Sequence, residues 1–261
     1  MINVNALLRR RVEYYEYPSA IEGYVRGAQS YFHSLFQARD VAFIFGKSMP
    51  RSGHRFLAEC LQTYFGRTLR YCDYYGDCCG RIPCRRPYND DRSNRYLLQK
   101  SHDFGFRDSP LLNGKYLIQY RSPVPRLQSN FELHIRETGE SSREAFAAFA
   151  ETETAYFINF YRKWIAVSRP NALVVAYEDL IYHQQQTLTA VIGFIQGHTA
   201  IDQEAMAKTL GDHQVMGGEK QMFWGLRDPK GHAYDDPALF ARLERQVAET
   251  CGSDRIKFHF I

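Results

Sequence analysis

Four short apolar runs constrain this chain more than any other feature. They are VAFIF (41–45), RYLLQKSH (95–102), KYLIQYR (115–121) and ALVVAY (172–177). Continuous apolar runs of this length suit strands buried on both faces, as in parallel sheets. Between them, apolar residues take helical spacing. Residues 54–65 carry Phe56, Leu57, Cys60, Leu61 and Tyr64 on one stripe, with Gly66 as a C-cap. Residues 141–169 read as one long helix, opened by a capping box from Ser141 to Glu144 and stopped before Pro170. Further helices fit 184–196, 202–210 and 236–250, and 5–39 reads as amphipathic helix broken near Pro18. Strands alternating with helices predict an α/β fold: a single domain over 1–261, with a central parallel sheet flanked by helices. Its core is expected over 41–195, with a helical C-terminal part over 196–261. Residues 71–95, rich in Cys, Tyr, Arg, Asp and Pro, read as a long loop placed to shape a substrate pocket.

Composition narrows the class. At 261 residues, 44% hydrophobic and 24% charged, the chain can bury a full core and reads as soluble and globular. A net charge of +4 suits an enzyme that binds anions and does not argue for nucleic acid. No run approaches the roughly 18 apolar residues of a membrane span. The opening MINVNALLRRRVEYYEYP lacks the apolar stretch of a secretion signal, and Arg9, Arg10 and Arg11 read as a solvated helix face. The expected location is the cytoplasm. Of the six cysteines, Cys72, Cys78, Cys79 and Cys84 cluster without the paired CxxC knuckles of a zinc site. Free thiols in an irregular loop come first, ahead of a disulfide pair or a metal.

Chemistry collects where the apolar runs end. FIFGKSMPRSGHRFLAECL (43–61) is strand, tight loop, helix, the layout of a phosphate cradle. A triphosphate loop needs G-x-x-x-x-G-K-[ST]. From Gly46, position 51 should be Gly and is Arg, so the terminal-phosphate Lys and the magnesium-holding hydroxyl are missing from their places. Backbone N–H groups at a helix start still attract an anion, and Arg51 adds a fork of donors. Lys100 and His102, two apart at the end of a strand, share a face. The His can take a proton and the Lys can offset charge. Arg121 ends the next strand, and Ser129 lies eight residues on.

In this order the pieces resemble the sulfotransferases that use 3′-phosphoadenosine 5′-phosphosulfate (PAPS), a P-loop nucleotide-binding-like fold. Pro50-Arg51-Ser52-Gly53 resembles their loop for the 5′-phosphosulfate. Arg121 with Ser129 resembles their grip on the 3′-phosphate. Lys100-Ser101-His102 resembles the segment whose His is the catalytic base. Tyr177-Glu178-Asp179-Leu180 resembles the strand end whose Tyr lies near the adenine. The match runs over about 41–195. It departs at His54 and Arg55, where many members have hydroxyl residues; Phe56 either matches an aromatic that packs on the adenine or belongs to the core. LRDPKGH, with Arg227, Lys230 and Gly231, matches poorly a segment that closes over the 3′-phosphate.

The resemblance implies sulfuryl transfer from PAPS, without a metal, to a hydroxyl of a small-molecule or glycan acceptor. His102, Lys100 and Arg51 would be catalytic. Arg51, Ser52, Gly53, His54, Arg55, Phe56, Arg121, Ser129 and Tyr177 would bind the donor. Neither nucleic acid nor stable membrane insertion is implied. Alternatives are a phenolic or natural-product acceptor, a nucleotide-dependent phosphotransferase on the same sheet, and a binding protein that kept the fold. The broken triphosphate loop argues against the second, and Lys100-x-His102 against the third.

Overall fold

The four apolar runs become strands, and a fifth, shorter strand joins them. The computed structural model describes residues 41–74, 84, 95–105, 108, 114–214 and 234–252. The expected helix over 5–39, most of the 71–95 segment, Cys78, Cys79 and LRDPKGH lie outside the described residues. Strand β1 (Ala42–Ser48) leads into α1 (His54–Phe65), a 3₁₀ turn (Gly66–Thr68) and β2 (Leu69–Cys72). Strands β3 (Tyr96–Ser101) and β4 (Lys115–Tyr120) follow, then α2 (Pro123–Thr138) and α3 (Arg143–Phe160), which runs on into a π turn (Tyr161–Ile165). After β5 (Ala172–Ala176) come α4 (Tyr177–Tyr182), α5 (Gln184–Gln196), α6 (Gln203–Asp212) and α7 (Pro237–Cys251).

The sheet has the order β2-β3-β1-β4-β5, and every pairing is parallel. The parallel sheet flanked by helices agrees with the sequence reading. Its side chains alternate between two cores. Ile44, Leu98, Leu117 and Val175 face Leu57, Leu61, Leu188 and Ile192, on α1 and α5. Phe45, Tyr116, Ile118 and Ala176 face Phe157, Phe160 and Trp164, on α3 and its π turn, and Val247 on α7. A large apolar side chain buried this way contributes roughly 1.5–3 kcal/mol.

Three local expectations need correction. The loop expected over 71–95 begins later: Tyr71 and Cys72 belong to β2, where they pair with Leu98 and Gln99. That strand is four residues long and lies at the sheet edge, with Arg70 and Tyr71 half-buried, so it lacks the apolar signature of a central strand. The cap of α3 is Ser142, whose hydroxyl accepts from the Ala145 amide, rather than Ser141. The helix expected to reach 169 leaves α geometry at Tyr161, where the Ala166 amide donates to the Tyr161 carbonyl. Cys72 and Cys84 are buried and packed with Leu97. Among the described residues, no helix is long and apolar enough to cross a membrane.

Candidate functional site

The β1–α1 loop is shaped by close approach. Arg51 has φ +63° and Gly53 φ +74°, so the chain turns twice through left-handed backbone before α1 starts. Gly53 is the N-cap of α1 and supplies no side-chain bond to it, leaving the first-turn N–H groups to other acceptors. A Cβ on Gly53 would sit 2.2 Å from the Tyr177 ring, so only glycine lets that ring lie on the loop. One strand earlier, a Cβ on Gly46 would sit 2.6 Å from the His54 ring, which is buried against β1 and 5.9 Å from the Tyr71 ring. Among the described residues, the buried Ser52 hydroxyl and His54 Nε2 find no hydrogen-bond partner.

The residues expected on different loops meet here. Arg51 Nε donates to Ser129 Oγ at 3.0 Å, across 78 positions of sequence. Arg121 is 7% exposed; its Nη1 reaches the Arg51 carbonyl at 3.5 Å, and its guanidinium lies 4.7 Å over the Tyr177 ring. Arg51, Gly53, Arg121, Ser129 and Tyr177 are thus in one cluster at the carboxyl ends of β1, β4 and β5. Ligands of open α/β sheets bind at that edge. Glu178 holds the cluster from behind: its Oε1 accepts from the Ser122 amide at 2.9 Å and pins the turn after β4. The sequence reading named Glu178 only within Tyr177-Glu178-Asp179-Leu180 and gave it no role. An acidic pair, Glu178 and Asp179, directly after an apolar strand was the available signal.

His102 lies just past β3, also at this edge. Its Nδ1 is 2.6 Å from the Ser48 carbonyl and 3.3 Å from the Ser48 hydroxyl. A carbonyl only accepts, so Nδ1 carries the proton and Nε2 the lone pair. Burial, then the Lys100 charge, push the His102 pKa down to about 3. The same two causes, in the same order, and then His102 itself, hold His54 well below the ordinary histidine value. Lys100 Nζ forms an ion pair with Asp73 Oδ1 at 2.9 Å. The Phe104 ring lies 5.2 Å from the His102 ring and 5.8 Å from Tyr156, and is 37% exposed.

Two expected donor-binding residues fall outside the cluster. Arg55 points outward and pairs with Glu59 one helical turn on. Phe56 is fully buried in the core beneath α1, edge-on to His213. Among the described residues, no group of three or more His, Cys, Asp or Glu could hold a metal ion.

No protein-family model matches the chain, and no curated protein matches it. Solved structures do. Mouse sulfotransferase SULT7A1 complexed with PAP is similar with a TM-score of 0.57 and 17% identity, over 83% of this chain and 86% of that one. The sulfotransferase domain of the Synechococcus PCC 7002 olefin synthase matches at a TM-score of 0.49 and 18% identity, over 82% and 96%. That of the curacin biosynthetic pathway matches at 0.46 and 15%, over 81% and 98%. At such identities it is the path of the backbone that is shared, and on the first of these likenesses the chain has the fold of the sulfotransferases.

Proposed function

We propose that the protein is a PAPS-dependent sulfotransferase acting on a hydroxyl of a glycan or another polyhydroxy small molecule. The contact of Arg51 with Ser129 carries this reading, because it joins the loop for one phosphate to the helix for the other. Arg51, Ser52 and the first N–H groups of α1 would hold the phosphosulfate. Arg121 and Ser129 would hold the 3′-phosphate, with Tyr177 beside the adenine. The buried Ser52 hydroxyl and His54 Nε2, unpartnered among the described residues, fit a polar ligand in this cradle. PAPS supplies the sulfuryl group and a bisphosphate leaving group.

His102 Nε2 accepts the acceptor's proton as the acceptor oxygen bonds to sulfur and the sulfur–phosphate oxygen bond breaks. Ser48 fixes the ring and the tautomer. Arg51 and Lys100 offset the charge that grows on the leaving group. The Phe104 ring beside His102 favours an acceptor with a flat or apolar face, so a phenol or natural product is the second reading of the acceptor.

The test is release of the bisphosphate from PAPS across a panel of glycans, polyols and phenols. The reading predicts acceptor-dependent release, reduced on the order of 10²–10⁴-fold in His102→Ala. A His102→Ala protein with full turnover would remove the base assignment.

A further inference from the structure

We propose that Asp103 is a positioning residue for His102: its gripped carboxylate locks the left-handed turn that aims the imidazole. The proposal rests on His102 acting as the base. Strand β3 ends at Ser101, so the sheet ladder does not hold His102. The next residue is Asp103, with φ +47° and only 3% exposed. Aspartate tolerates that backbone better than most non-glycine residues, and here its surroundings hold it there.

The enforcement is visible. Asp103 Oδ2 accepts from Lys163 Nζ at 2.6 Å and from Trp164 Nε1 at 2.9 Å. Its Oδ1 accepts from the Asp108 amide at 2.9 Å, and its own amide donates to Ser101 Oγ at 3.2 Å. Asp108 is tied in turn to the buried Lys47 of β1 and, at 2.5 Å, to the Ser101 hydroxyl. Lys163 and Trp164 are consecutive and both reach one oxygen of Asp103 from the π turn. Such turns inside helices recur at functional sites. On α3, five residues before that turn begins, Tyr156 donates its hydroxyl to the His102 carbonyl at 2.6 Å. One helix with its π extension therefore holds both His102 and Asp103, while β1 holds the ring through Ser48. Burial and the neighbouring Asp108 push the Asp103 pKa up, against Lys163, so the network is tensioned by charge as well as by shape.

Three variants separate the roles. Asp103→Asn keeps the volume, tolerance of left-handed backbone and one acceptor, for Trp164 and Lys163, but loses the charge and sets its NH2 against the Asp108 amide. Asp103→Gly frees the backbone but removes the acceptor. Asp103→Ala removes both. Turnover should fall about 10²-fold in the Gly and Ala variants, as for a misplaced catalytic group. KM for PAPS should stay unchanged, and Asn, which keeps one of the two grips, should fall between the wild type and these variants. Nitrogen-15 NMR should find His102 protonated at Nδ1 in the wild type and Asn variant, and in mixed tautomers in the other two. Wild-type turnover and an unmixed Nδ1–H tautomer in Asp103→Gly would overturn the proposal. If the Gly and Ala variants do not fold, Trp164→Phe removes one grip and is read the same way. The tautomer needs no catalysis to be measured. A wild-type protein that neither binds the bisphosphate nor transfers sulfuryl would overturn the sulfotransferase reading and leave the positioning test intact.

Discussion

Burial and the Lys100 charge push the His102 pKa down to about 3, so the imidazole is neutral at ordinary pH, ready to accept a proton but weakened as a base. Its cost appears in acid. The unfolded imidazole titrates near 6.5 and the folded one near 3, so between these values the unfolded chain binds the extra proton. His102 therefore leaves stability undiminished above pH 6.5 and takes it away as pH falls from 6.5 toward 3. Denaturant titrations of wild type and His102→Asn should diverge in that window, with the wild type losing more. Parallel curves would contradict the burial of the imidazole. Gly53 gives a second test at this scale. Its φ of +74° and the Tyr177 ring 2.2 Å from a would-be Cβ make Gly53→Ala costly twice over. The variant should lose affinity for 3′-phosphoadenosine 5′-phosphate by calorimetry, whereas Gly66→Ala, where a Cβ meets nothing, should keep it.

Elements explain which parts of the site were legible. The loop at 50–53 and Arg121 stand at strand ends, so an apolar run followed by a polar residue located them; Ser129, about two turns into α2, and Tyr177 came from the family resemblance. Arg51 and Arg121 needed no long-range knowledge to be suspected. Asp103 and Glu178 did: their partners Trp164 and Ser122 are 61 and 56 residues away, and spacing says nothing about such pairs. Strand β2 was hidden because a four-residue edge strand with a central Arg has no apolar run. The capping box was misplaced by one residue because Ser141 and Ser142 are adjacent and only geometry chooses between them. That choice is testable. Ser142→Ala should destabilise the protein by about 0.5–2 kcal/mol in chemical denaturation, and Ser141→Ala by far less. Equal losses would mean that Ser142 does not cap α3.

At the scale of the molecule, the parallel sheet is what brings the parts together. Four crossovers deliver the ends of β1, β3, β4 and β5 to one edge, and with them Arg51, His102, Arg121 and Tyr177. Alternate strand residues face the two cores on either side, so the sheet is fixed from both faces while its carboxyl edge stays polar. The central claim is that this edge holds a bisphosphate and not a magnesium triphosphate. Thermal unfolding with 3′-phosphoadenosine 5′-phosphate, and separately with ATP and Mg²⁺, tests it most directly. A ligand at ~100 times its Kd adds about 2.7 kcal/mol, a rise in Tm of about 5–10 °C for a chain of this size. The account predicts that rise with the bisphosphate and little with ATP. A rise with ATP and Mg²⁺ alone would contradict it.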